Sequence, residues 1–91
     1  MILVVSFRLL ADGRANPITS GYCCDFQLDG ESFMRGARVI LRRGLVLCPG
    51  HSCWALLRPI RPTWPTKYDV QFCGYEGPYK VAEVNVMDVF E

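Results

Sequence analysis

Gly13-Arg14-Ala15-Asn16-Pro17-Ile18-Thr19-Ser20-Gly21-Tyr22-Cys23-Cys24-Asp25-Phe26 is the stretch on which the fold turns. Its first half is punctuation: glycine, proline and short polar residues that end a strand and reverse the chain. Its second half starts an alternation that runs to Asp29. Tyr22, Cys24, Phe26 and Leu28 fall on one phase, and Cys23, Asp25, Gln27 and Asp29 on the other. Side chains on a strand alternate sides, so the first set is expected inward and the second toward water.

The same grammar extends in both directions. Met1 to Leu10 reads as a long first strand, with Leu3, Val5, Phe7 and Leu9 on one face. Ile2, Val4, Ser6 and Arg8 lie on the other, so its beginning is expected to be covered on both sides. Arg35 to Leu41 places Ala37, Val39 and Leu41 inward, and Arg38 and Arg42 outward beside Ile40. Arg43-Gly44 and Pro49-Gly50 read as turns around a short strand, Leu45-Val46-Leu47. Cys53 to Leu57 forms another strand, ended by Arg58-Pro59. Pro59, Pro62 and Pro65 bracket Trp64 in a loop that cannot sit centrally in a ladder. Lys67 to Cys73 alternates once more, with Tyr68, Val70 and Phe72 inward; Gly74 to Pro78 then turns into a last strand, Tyr79 to Val89.

Six prolines and eight glycines cut the chain into runs of strand length, and no segment holds helical periodicity beyond two turns. The expected fold is all-β, a six-stranded antiparallel closed barrel, since closure removes exposed edges. One β-barrel domain is expected to span residues 1–91, with half of its residues apolar and a net charge of only +1. No run of eighteen apolar residues is present, and the apolar opening lacks a basic flank, so a strand is expected there rather than a leader or a span. Five cysteines, two of them adjacent, do not make an even, spaced disulfide framework. Reduced thiols and a cytoplasmic location are the expectation.

Several constellations compete for a functional reading. Between Ser32 and Tyr68 stand Arg35, Arg38, Arg42, Arg43, Arg58, Arg61 and Lys67 with no acid. This middle either forms a positive face or is interspersed with acids from neighbouring strands. Trp54, Trp64, Tyr75 and Tyr79 are candidate contact aromatics, Trp64 being either a surface anchor or a cap folded onto the barrel. Ile2, Val4 and Ile40, on outward phases, point to an apolar patch beside Arg38 and Arg42. Cys48, His51 and Cys53, with Cys23 or Cys24 as a fourth ligand, are a weak zinc candidate without knuckle spacing. His51 has no evident orienting partner for a Cys–His nucleophile, and the carboxylates are scattered over strand exteriors and turns. No enzyme activity and no cofactor are expected.

The punctuation resembles that of the C-terminal β-barrel domain (domain 3) of bacterial elongation factor Tu, over nearly the whole chain. In that family a first strand leads to Gly-Gly-Arg-x-x-Pro-Phe/Ile-x-x-Gly-Tyr-Arg-Pro-x-Phe, which stands here as Asp12 to Phe26, with Asp12 at the first glycine. Its mid-domain Pro-Gly turn is similar to Pro49-Gly50. Its last hairpin, Phe-x-x-Arg-Glu-Gly-Gly-Arg-Thr-Val-Gly-x-Gly-Val, is similar to Phe72 through Val84. The resemblance implies the barrel fold, a translation-related origin in bacteria, and surfaces that in the parent factor pack against two other domains. It also implies a family contact with the T-stem backbone of tRNA, in which Arg14 holds the first contact position. Ala15, Cys23 and Asp25 depart from the histidine, arginine and glutamine that share that contact. These 91 residues hold no Gly-x-x-x-x-Gly-Lys-Ser/Thr loop to wrap a nucleotide, so the family's GTPase activity is not expected of them.

Two functions are therefore expected of such a chain. The first is a non-enzymatic binding module that docks a protein partner in a regulatory or inhibitory role. The alternative is a tRNA- or RNA-binding accessory of translation. The candidate contact residues for either are Arg14, Arg38, Arg42, Arg58, Arg61, Trp64 and Tyr79.

Overall fold

A computed structural model describes residues 1–28, 30–61, 64 and 70–91. Six strands are described: β1 (Ile2–Leu9), β2 (Cys23–Gln27), β3 (Arg35–Ile40), β4 (Ser52–Pro59), β5 (Gln71–Glu76) and β6 (Tyr79–Phe90). They close into a barrel in the order β1-β4-β3-β2-β5-β6, with every neighbouring pair antiparallel. Among the described residues no helix is long and apolar enough to cross a membrane.

The alternation fills the barrel as expected. Leu3, Val5, Phe7 and Leu9 of β1 are buried, with Phe26 of β2, Val39 of β3, Leu57 of β4, Phe72 of β5 and Val84 and Val86 of β6. Each such side chain removed from water contributes about 1.5–3 kcal/mol. Trp64 is only 4% exposed and makes a three-ring cluster with Phe26 and Phe72, with centroids 5.7–5.9 Å apart. Tilted and edge-on rings at this separation are favourable beyond their buried area. Of the two readings open for Trp64, the structure takes the cap.

The segment that opened the sequence reading acquires a physical reason. Gly13 lies against the backbone of β6: a Cβ there would sit 2.5 Å from the Lys80 carbonyl oxygen and 2.8 Å from the Val81 Cα. Gly21 has φ of +99°, a conformation side chains resist, and its N–H donates to the Val39 carbonyl at 2.8 Å. The Val39 N–H in turn donates to the Tyr22 carbonyl at 2.7 Å, so the link from β1 to β2 is zipped onto β3.

Strand boundaries differ from expectation in several places. β4 does not end at Leu57: Arg58 and Pro59, expected to end it, are its last two residues and pair with Arg38 and Ala37 of β3, Pro59 being tolerated at the strand's terminus. Leu45-Val46-Leu47 is not a strand. It makes a single bridge, Ile18 with Leu47, because the Arg42–Leu45 turn and the Cys48–His51 turn leave too few residues between them to propagate a ladder. β5 runs on through Gly74 and Tyr75 to Glu76, so the reversal is confined to Gly77-Pro78. Gly74 belongs in the strand because the Phe26 ring occupies the space its side chain would take, 2.9 Å from an added Cβ. β6 reaches one residue past Val89, where Phe90 pairs with Ile2. The expected inward Tyr68 and the rest of Lys67–Asp69 lie outside the described residues, as do Pro62 and Pro65.

The close approach of Gly13 sets a stability test. Gly13→Ala pushes a methyl group into fixed backbone rather than into a yielding side chain, and should cost about 1–3 kcal/mol. A lowered urea midpoint is the expected result; an unchanged midpoint would show that the loop does not bear on β6 in solution.

Candidate functional site

Outward-facing residues on β4 are Trp54, Leu56 and Arg58, the phase opposite to buried Ala55 and Leu57. On β3 they are Arg38 and Ile40. Antiparallel register sets Leu56 beside Ile40 on one side and Val4 on the other, which makes an apolar row across β1, β4 and β3. The next outward position on β4, Trp54, stands opposite Ser6 of β1 and is 63% exposed. Val4, Ile40, Arg42, Trp54 and Leu56 line a shallow cavity of about 260 Å³. The apolar patch expected from Val4 and Ile40 is therefore present, and Ile2 adjoins it beside Phe90 at the β6 end.

One step along the strands, Arg38 stands directly opposite Arg58. Like charges facing each other across a strand pair are destabilising. Both are exposed, and among the described residues neither has a carboxylate within ion-pair distance. Arg42 borders the apolar cavity, and Arg61 edges a second cleft past the end of β4. The middle of the chain is thus sorted into two kinds of arginine. Arg35 is held by Glu31 through paired contacts of 2.7 Å, which keeps the Glu31 carboxyl below its usual range. Arg38, Arg42, Arg58 and Arg61 are gathered on the β3–β4 side without such partners among the described residues.

Arg14 and Tyr79 lie elsewhere. Arg14 donates to the Glu76 carboxylate and to the Asn16 carbonyl (2.8 Å), while its guanidinium lies 5.0 Å over the Tyr22 ring. The Tyr22 hydroxyl donates to the same Glu76 oxygen. These contacts pin the Gly13–Tyr22 link to the β5–β6 hairpin, so the cation at the family's first contact position is committed within the barrel. Burial and the bond to Glu76 push the Tyr22 hydroxyl upward from its ordinary range, and burial pushes the neighbouring Cys24 thiol up to about 12. Tyr79 is exposed at the β5–β6 hairpin, across the ring of strands from β3 and β4. Trp64, being buried, leaves the exposed-aromatic role on this side to Trp54.

The weak zinc candidates do not converge. Cys48 and His51 are exposed on the turn before β4, while Cys53 points toward the barrel from within it. Among the described residues no three His, Cys, Asp or Glu side chains are grouped to hold a metal. The turn brings the residues near in sequence, but strand alternation sends Cys53 to the opposite side from its neighbours.

Leu56 and Ile60 are contact candidates that the sequence reading passed over. Their parity with Arg58 was the available signal: Trp54, Leu56, Arg58 and Ile60 share a single outward phase. No family model matches the chain, and no curated protein matches it.

Two outcomes follow from this geometry. Relieving the facing arginines with Arg38→Thr should raise the stability of the isolated protein by about 0.2–1 kcal/mol, seen as a higher urea midpoint. An unchanged or lower midpoint would mean the two guanidinium groups do not strain each other. The second concerns pH. A thiol ordinarily near 9.0 and held up to about 12 in the fold favours the unfolded state once thiolates form there. Its stabilising effect is complete below pH 9 and is lost as pH rises toward 12. Melting temperature should fall through that window, and more shallowly in Cys24→Ala; identical slopes would remove Cys24 from the account.

Proposed function

We propose that this chain is a non-catalytic docking module, a relative of the elongation factor Tu C-terminal barrel, whose β3–β4 outer face binds an acidic and apolar surface of a partner protein. The barrel topology is compatible with that kinship, and the Asp12–Phe26 and Phe72–Val84 segments support it. The observation that carries the docking reading is the Arg38–Arg58 pair beside Leu56, Ile40 and Trp54. Facing arginines cost the isolated fold stability, and an external carboxylate lodged between them turns the repulsion into two charge-assisted hydrogen bonds. Exposed tryptophan and arginine are also the residue types that dominate contact energy at protein interfaces.

RNA binding is the competing reading, favoured by the same exposed arginines. Against it stand the engagement of Arg14 by Glu76 and the ion pairs that occupy Arg8, Arg35 and Lys80. A phosphate track needs several cations acting together, and it weakens steeply with salt. Salt and charge reversal separate the two. Arg38→Glu/Arg58→Glu should abolish capture of a ribonuclease-resistant protein partner from a lysate of the source organism. Trp54→Ala should weaken that capture at least tenfold. Fluorescence anisotropy with labelled tRNA should show no retention at physiological salt. Tight tRNA binding there, with a log-linear salt slope lost in the double variant, would replace the protein reading with the RNA one.

A further inference from the structure

We infer that the element this face receives is an amphipathic helix of the partner whose contact side runs apolar, acidic, apolar along β4. The inference rests on the docking reading above and adds the shape and pattern of what docks. Past the end of β4, the chain continues in the same outward phase to Ile60, which is 65% exposed. The Ile60 N–H donates to the Gly36 carbonyl at 3.0 Å, which fixes this residue beside β3. There it joins Phe33, Met34 and Arg61 around a cleft of about 360 Å³ that has buried Trp64 in its lining. Phe33 and Met34 are also exposed, and the Arg35 guanidinium lies 4.9 Å over the Phe33 ring.

The outer face of β3 and β4 is therefore a track with an apolar cavity at either end. The Trp54–Leu56–Ile40 cavity lies at one end and the Ile60–Phe33–Met34 cleft at the other, with the Arg38–Arg58 pair between them. Charge complementarity calls for carboxylates at the centre of whatever lies on it, and the two cavities call for apolar side chains flanking them.

Topology selects the helix. An extended segment gains main-chain hydrogen bonds by adding to a sheet edge. Here β3 is paired with β2 and β4, and β4 with β3 and β1, so neither strand offers an edge. A helix satisfies its own backbone and brings only side chains to the face. The dimensions agree. Leu56 to Ile60 spans about 13 Å of strand and Trp54 to Ile60 about 20 Å, distances a helix covers in about nine and about thirteen residues. Apolar anchors two to four turns apart, with two acids on the intervening turn of the same side, satisfy both cavities and the arginine pair.

The test is selection from a phage-displayed library of twenty-residue helical peptides, run in parallel with a library of unstructured peptides of equal length. The full chain is the bait, and Arg38→Glu/Arg58→Glu is the counter-bait. Enriched sequences should come from the helical library and carry apolar residues on both sides of paired acids. The best synthetic peptide should gain helical circular dichroism on binding. Its affinity should fall at least tenfold with Ile60→Asp and with Leu56→Asp, and should be unchanged by Tyr79→Ser. All three substitutions are at exposed positions, and unchanged melting curves verify the fold. Enrichment from the unstructured library alone, enriched peptides without acids, or indifference to Ile60→Asp would each overturn the helical track. A ribonuclease-resistant partner that is lost with Arg38→Glu/Arg58→Glu but kept with Ile60→Asp would overturn the track while leaving the docking reading standing. A partner indifferent to both would overturn the docking reading itself.

Discussion

β6 hydrogen-bonds to β1 from the Ile2–Phe90 pair to the Leu9–Ala82 pair, and this seam is what turns a six-stranded sheet into a barrel. Every other feature depends on it. With the seam shut, the inward phases of all six strands face one another, and Phe7, Phe26, Leu57 and Val84 share one interior. An open sheet of the same strands would leave β1 and β6 as edges and one apolar face uncovered. The register shift between Val4 and Val5 lets the twelve-residue β6 follow the eight-residue β1 around the curve. The Gly13 contact with the Lys80–Val81 backbone packs the chain leaving β1 onto the same strand. Closure also decides how the protein can recognise anything: with main-chain groups consumed in ladders, recognition falls to outward side chains.

The link from β1 to β2 acts as a second strap. The Gly21 and Tyr22 backbone bonds tie it to β3, and Glu76 ties it to β5 through Arg14 and Tyr22. This accounts physically for the order of glycine, arginine, proline, glycine and tyrosine in the opening stretch. Gly13 meets β6, Gly21 meets β3, and Arg14 and Tyr22 meet Glu76 of β5, so the pattern records tertiary contacts rather than a local turn alone. It also explains why Arg14 is a poor guide to ligand binding. Its charge answers a carboxylate more than sixty residues away that reading outward from the motif would not find.

Inward and outward parity was legible because it is local: from Phe26, Val39 or Leu57 the neighbouring residue on each side can be assigned at once. The all-β class and the barrel followed from parity and punctuation together. Register between distant strands was not legible. Nothing in the two segments alone says that Arg38 and Arg58 face each other, because that pairing depends on how β3 and β4 slide past one another. Leu45–Leu47 has strand-like composition yet makes a single bridge, since two adjacent turns set its length. For Trp64, composition was balanced between surface and cap; the touching rings of Phe26 and Phe72 settle it by offering a platform to pack on, and that platform exists only after β2 and β5 pair.

A closed barrel with Trp54, Leu56, Ile60 and Phe33 exposed, and with a net charge of only +1, faces an evident hazard, namely association with its own copies. The facing arginines bear on that hazard directly. A second copy laid on this track with its own arginine pair over the first would bring four guanidinium groups together without carboxylates between them. An acidic partner meets the same four residues' worth of geometry with opposite sign on its side. The pair that weakens the lone fold therefore also ranks its companions, disfavouring self-contact and favouring acids. Specificity obtained by such repulsion needs both elements to be adjacent, and the register of β3 with β4 makes them so. Apolar area supplies the affinity and the arginines decide to whom it is offered.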